Sequence, residues 1–162
     1  MAHKNTRVGH IHLTVADLDG SLAFYRDLLG FEISARYGDS AVFLSAGGYH
    51  HHIGLNTWAG KGASPPPTGH TGMYHVAFLY PNRRELAVVL KNLMEAKYPI
   101  DGSADHGVSE AIYLSDPDGN GVELYVDRPK SEWKVNNDGM VEMITAPLDL
   151  EPILRQLDTA LT

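Results

Sequence analysis

The chain of 162 residues has no cysteine. Disulfides, thiolate metal sites and cysteine nucleophiles are therefore excluded together, and the absence fits a cytoplasmic protein. No apolar run is long enough to span a bilayer, and the first residues do not read as a secretory signal, so no membrane partner is expected. Positive charge is scarce. Thirteen Lys and Arg face 20 Asp and Glu, for a formal charge of -7. With no basic stripe to offset it, nucleic acid is not an expected partner. Histidine, in contrast, is abundant at nine residues. Any metal chemistry must rest on imidazole and carboxylate.

The length suits one compact domain with a real core. Residues 1–6 read as a loose leader. Residues 8–15 are β-branched and apolar and predict a strand. Asp19 or Ser21 can cap a helix that runs to Leu29, with Gly30 at its C-terminal end. Residues 31–37, 40–45 and 49–57 predict three further strands, with Gly38-Asp39 and Gly47-Gly48 as turns. Residues 59–72, with Pro65-Pro66-Pro67, form a linker or ordered loop. A second pass follows: a strand over 73–80, a helix over 82–97, and strands near Ile100, over 109–115 and over 121–126.

The two passes share more than element order. His10 is followed seven residues later by Asp17, and His75 seven residues later by Asn82. Each is then followed by an amphipathic stretch, through Leu22, Tyr25, Leu28 and Leu29 in the first and Leu86, Val89, Leu90 and Leu93 in the second. Ala41-Val42-Phe43-Leu44-Ser45 aligns with Ala111-Ile112-Tyr113-Leu114-Ser115. One supersecondary unit is used twice. The first alignment has an offset of 65 residues and the second 70, so the second copy carries extra residues, expected within 101–107. The fold class is α+β: two tandem βαβββ modules (7–58 and 73–128), joined by the loop 59–72, as a single domain. A C-terminal extension (129–162) follows, with a helix over 150–161 whose residues Leu150, Ile153, Leu154, Leu157 and Leu161 make one face.

Two histidines at equivalent places, with Glu123 near the end of the second copy, suit a non-haem Fe(II) site with open positions. His12 points to the same face as His10, but the repeat aligns it with Ala77. His106 is a weaker candidate in a loop, and His3 and His70 read as solvated.

Gly9-His10-Ile11, Val15-Ala16-Asp17-Leu18 and Phe24-Tyr25-Arg26-Asp27-Leu28-Leu29-Gly30-Phe31 resemble the first module of the vicinal oxygen chelate superfamily. The run from Tyr113 to Tyr125, with Ser115-Asp116-Pro117-Asp118-Gly119-Asn120-Gly121, resembles the end of its second module. The resemblance covers about residues 8–129. It is greatest to the small catechol-2,3-dioxygenase-like branch, through residues 48–58 and 105–110. It implies that the modules form a curved, partly open mixed β-barrel around a metal site, with ligands on the first and last strand of each module: His10, a position near Ile53, His75 and Glu123. Carrying the offset of 70 to the last strand selects Ile53; a slip of one residue would select His52. Three protein ligands would leave room for substrate and dioxygen, whereas a fourth would favour isomerase or hydrolytic chemistry.

If Ile53 faces the metal, strand alternation turns His51 into the cavity as well. The resemblance implies acid/base catalysis for His51, and for Tyr113 a hydrogen bond to the metal-bound substrate oxygen. The expected function is an extradiol-type, ring-cleaving dioxygenase acting on a catechol-like aromatic diol with dioxygen. Its metal would be Fe(II), with Mn(II) possible. The alternatives are a glyoxalase- or isomerase-like enzyme with Ni(II) or Zn(II), and a metal-free module that binds a small molecule such as an antibiotic. A homodimer is the expected assembly.

Overall fold

A computed structural model describes residues 1–158. The chain divides into two compact units, Met1–His70 and Thr71–Thr162, with the boundary inside the proline-containing loop. Among the described residues no helix is long and apolar enough to cross a membrane.

The first unit contains β1 (Ile11–Thr14), α1 (Leu18–Leu22), β2 (Glu32–Tyr37), β3 (Ala41–Ser45) and β4 (Ile53–Asn56). Its strands form one sheet in the order β1-β4-β3-β2, with β1 and β4 parallel and the other pairs antiparallel. The second unit repeats this plan with β5 (His75–Leu79), α2 (Arg83–Glu95), β6 (Gly102–Asp105), β7 (Ser109–Ser115) and β8 (Gly121–Asp127). Its order is β5-β8-β7-β6, again with the first and last strands of the module parallel. The architecture is therefore α+β, built from two mixed sheets.

The shared His-x6-Asp/Asn spacing has a structural cause. Asp17 and Asn82 are the helix N-caps. Asp17 Oδ2 accepts from the Gly20 N–H at 2.7 Å, and Asn82 Oδ1 accepts from the Glu85 N–H at 3.0 Å. Each satisfies an N–H that the helix leaves without an internal partner. Asp17 thus takes the capping role expected of Asp19 or Ser21. The helical run reaches Leu28, close to the expected Leu29, but it changes its winding on the way. After Leu22 the chain widens into a π-wound segment, Ala23–Leu28, which turns Phe24 and Tyr25 fully inward. On α2, Leu86, Ala87, Val89, Leu90 and Leu93 are all buried. Each large aliphatic among them contributes roughly 1.5–3 kcal/mol of burial.

Strand pairing places three of the five extra residues of the second copy in the β6–β7 hairpin, since Ala104, paired with Ala111, corresponds to Tyr37, paired with Ala41, and the other two before β6. α2 is longer than its counterpart, and its connector, residues 96–101, exceeds residues 29–31. The strand expected near Ile100 begins at Gly102, and the one expected over 49–57 begins only at Ile53. The C-terminal extension adds a short strand, β9 (Ala146–Pro147), on the free edge of β6. Of the expected terminal helix, the described residues form α3 (Glu151–Leu154) followed by a 3-10 turn, Arg155–Leu157. Ile153 of α3 is buried, and Arg84 donates to the Gln156 carbonyl at 2.8 Å. Leu161 lies outside the described residues.

Candidate functional site

In the second unit β5, β7 and β8 gather one cluster. β8 lies between the other two, so residues paired across it share a face. Tyr113 pairs with Glu123, and Glu123 with Ala77, two residues after His75. The small Ala77 leaves the space above Glu123 to the carboxylate. His75 Nε2 comes within 2.9 Å of Glu123 Oε2, and the Tyr113 hydroxyl donates to Glu123 Oε1 at 3.3 Å. Glu123 is 9% exposed.

The start of β8 depends on the turn before it. Asp116, itself buried, accepts from the N–H groups of Asp118 and Asn120 and from the Asn120 side chain at 2.8–3.0 Å. The Asp116–Asn120 motif is thus a structural device that sets the register of β8. Gly121 completes it: a Cβ there would fall 2.3 Å from the Tyr74 carbonyl.

Behind Tyr113 stands His106. Its Nε2 is 2.6 Å from the Tyr113 hydroxyl, and its Nδ1 is 2.8 Å from the Ile144 carbonyl. A carbonyl only accepts, so Nδ1 carries the proton and a neutral His106 offers Nε2 as an acceptor. The single phenolic proton thus has two acceptors within reach, Glu123 and His106. Ile144 returns the contact, its N–H donating to the His106 carbonyl at 3.1 Å. Burial first, then the Glu123 carboxylate, pushes the Tyr113 phenol up to about 12. Tyr113 therefore keeps its proton at working pH. A cleft of about 280 Å³ opens beside these residues, lined by Tyr74, His75, Asp101, Tyr113 and Ser115 among others.

Three residues along β7 from Tyr113, on the strand's other face, lies an ion network. Glu110, almost fully buried, takes both Arg83 and Arg128, and Arg128 also bonds Asp105 at 2.7 Å. Arg128, first residue after β8, thereby ties the root of the C-terminal extension to β6 and β7.

The first unit holds a different cluster at the corresponding place. The His10 ring lies 4.4 Å from the His51 ring, and His51 meets the edge of Phe43 at 5.1 Å. Phe43 is the repeat counterpart of Tyr113. His50 Nδ1 and His51 Nδ1 are 2.7 Å apart, so one donates and the other accepts. This stretch precedes β4 and does not follow strand alternation. It is held from outside: Ser34 Oγ donates to the His50 carbonyl at 2.7 Å, the His52 N–H to the Leu44 carbonyl at 2.8 Å, and the Ala46 N–H to His52 Nδ1 at 3.2 Å. Burial first, then neighbouring imidazoles led by His10, lowers the His51 pKa below the ordinary imidazole value. Both effects favour the neutral ring of His51.

The register corrects the expected fourth position. His12 pairs with Gly54 just as Ala77 pairs with Glu123, and Phe43 pairs with Gly54 just as Tyr113 pairs with Glu123. Gly54, not Ile53 or His52, is the counterpart of Glu123. Ile53 and Leu55 are fully buried, as are Val122 and Leu124 beside Glu123 to within 1%. Ile53 therefore belongs to the core, and the face His51 shares with His10 owes nothing to it. The pattern Ile53-Gly54-Leu55 against Val122-Glu123-Leu124 carries this offset of 69. The role of Ile144 has no such signal, because it acts through its backbone.

His75, Glu123 and Tyr113 thus meet in one unit, and His10 and His51 in the other. Within either unit, among the described residues, no three His, Asp or Glu side chains are gathered as a metal group. His3 is exposed, with Nδ1 accepting from the Asn5 N–H, and His70 is exposed as well.

The model of the Glyoxalase/Bleomycin resistance protein/Dioxygenase superfamily matches residues 7–124, and the chain belongs to this family. It is 40% identical over 154 residues to a catechol-2,3-dioxygenase of Bacillus subtilis, covering 95% of this chain and 53% of that protein. It is 30% identical over 122 residues to biphenyl-2,3-diol 1,2-dioxygenase 3 of Rhodococcus globerulus, covering 75% and 63%. The chain thus spans between half and two thirds of the length of these relatives. Among solved structures, a glyoxalase/dioxygenase from Nostoc punctiforme superposes with a TM-score of 0.65 at 23% identity, covering 80% of this chain and 97% of that one. That likeness bears on the fold.

Proposed function

We propose that the chain is a metal-dependent, extradiol-type dioxygenase that opens the ring of a catechol-like diol. The observation that carries this reading is the environment of Glu123. A nearly buried carboxylate has an imidazole and a phenol as its partners, neither of which carries a fixed positive charge. Buried carboxylates are normally paired with a cation or bound to a metal. One imidazole nitrogen and one carboxylate oxygen converging from adjacent strands are the donors a first-row divalent metal takes. The residues present in this unit therefore fit Fe(II), or Mn(II), with His75 and Glu123 as ligands; His10 is proposed as the third from its equivalent place in the repeat. When bound, the metal lowers the cost of ionising both diol hydroxyls and supplies a place for dioxygen.

The remaining roles belong to side chains. His51, its pKa lowered below the ordinary imidazole value, accepts a proton from a substrate hydroxyl and returns one later. Tyr113 keeps its proton and offers it to a substrate oxygen beside Glu123. His106 holds the phenol in place from behind, its own ring fixed by the Ile144 carbonyl. Gly54 contributes no donor, which supports ring cleavage over a four-ligand isomerase.

The test is direct. The protein, loaded anaerobically with Fe(II) or Mn(II), receives a series of substituted catechols and is then exposed to air. A yellow ring-opened semialdehyde is expected. No product from any of them, with metal content confirmed, overturns the reading. Unchanged metal content after replacement of both His75 and Glu123 favours a small-molecule-binding module instead.

A further inference from the structure

We infer that His12 and Gly54 act as a pair that keeps the fourth ligand position free of protein: the His12 ring fills the space where a ligand side chain would start, and Gly54 starts none. The inference rests on the metal centre proposed above and concerns what that centre excludes. Two independent registers place Gly54 where Glu123 stands in the other unit, one through β1 and one through β3. The partner residues then exchange size. On β5 the small Ala77 accompanies Glu123, and on β1 the large His12 accompanies Gly54.

The backbone does not demand glycine here. Gly54 lies outside the left-handed region, unlike Gly47 and Gly48 just before it. The constraint is steric. A Cβ on Gly54 would stand 2.8 Å from His12 Cγ, 2.9 Å from Cδ2 and 3.1 Å from Nδ1. These are atoms at the root of the ring, so the whole side chain would have to swing away. Two aromatic rings border its present position. His12 meets the Phe43 ring at 5.7 Å and the Trp58 ring at 5.3 Å. Trp58 is fixed in turn, its Nε1 donating to Ser40 Oγ at 3.1 Å and its N–H to Asn56 Oδ1 at 3.0 Å. The His12 ring in this position and a side chain at position 54 are mutually exclusive.

A carboxylate can therefore be installed only when the ring is removed. The double variant H12A/G54E would place a carboxylate in the same strand register to His10 that Glu123 holds to His75. Calorimetric titration with Zn(II) should then show binding about tenfold tighter than in the wild type, with H12A alone near the wild-type value. A second measurement needs no metal. Thermal unfolding of the wild type, H12A, G54A and H12A/G54A forms a cycle in which G54A lowers the midpoint clearly in the presence of His12 and little in its absence.

Wild-type protein that takes up no divalent metal removes the proposed function but leaves the unfolding cycle to judge the steric pair. Wild-type protein that binds metal, with no gain in H12A/G54E over H12A, overturns the inference. Should H12A/G54E fail to fold, additive midpoints in the G54A cycle overturn it equally.

Discussion

The two units use one backbone plan and diverge in the side chains around one fourth-strand position. Both carry a histidine just before or at the start of the first strand, an aromatic on the third, and apolar residues flanking the fourth-strand position that faces it. In the second unit that position is Glu123, met by Tyr113 and His75. In the first it is Gly54, met by Phe43 and covered by His12. The core-facing residues Ile53, Leu55, Val122 and Leu124 hardly differ, because burial tolerates only apolar side chains there. A repeated fold can thus keep its packing while the opposite face of each strand acquires separate chemistry. Alternation along a strand makes the two faces independent.

The largest expected effect tests whether the units remain equivalent at their first strand. Replacement of His10 or His75 by Ala should each weaken divalent-metal binding by more than about a hundredfold, the upper range for partners outside the coordination sphere. Calorimetry reads this, and a loss confined to H75A breaks the equivalence. Next is the aromatic pair. Y113F should lower kcat by about a hundredfold, since it deletes a proton donor beside the reacting centre. F43Y adds a hydroxyl beside His51 and should alter kcat much less. Equal losses would remove the distinction drawn between the two rings.

The smallest effect concerns pH. The Arg128 guanidinium, then the Gly107 N–H, hold the Asp105 carboxyl below its ordinary value. A depressed folded pKa means that the unfolded chain binds the proton more readily. The contribution is therefore present above about pH 4 and fades as pH falls further. D105N should flatten the acid limb of a melting-point profile between about pH 5 and 3. This network has no counterpart in the first unit, where strand pairing puts Gly38 and Ser40 in the places of Asp105 and Glu110, so the first unit should not share that dependence. An unchanged profile in D105N would deny Asp105 this role.

Much of this is legible without coordinates. The duplicated His-x6-Asp/Asn spacing marks a strand followed by a capped helix, because a cap needs a short polar side chain at one fixed place. The apolar blocks around Phe43 and Tyr113 predict matching strands. The fourth-strand register is harder to read, because a single offset cannot be carried through a loop that differs in length by one residue between the copies. The strand boundary at Ile53 also resists reading. Residues 49–52 have strand-like composition but are held by Ser34, Leu44 and Ala46 in another conformation.

By itself, the amino-acid sequence determined the α+β repeat and the apolar faces of its elements, and it singled out His10, His75 and Glu123 as the donors proposed above. These follow from periodicity, capping and side-chain chemistry, which are local properties. Only the tertiary structure decided that Gly54 stands opposite Glu123 in the repeat, that His12 covers it, and that a carbonyl of the C-terminal extension fixes His106 behind Tyr113. Each of those depends on hydrogen bonds and steric contacts between segments far apart in the chain, and a backbone carbonyl or a missing side chain leaves no mark in a string of residue types.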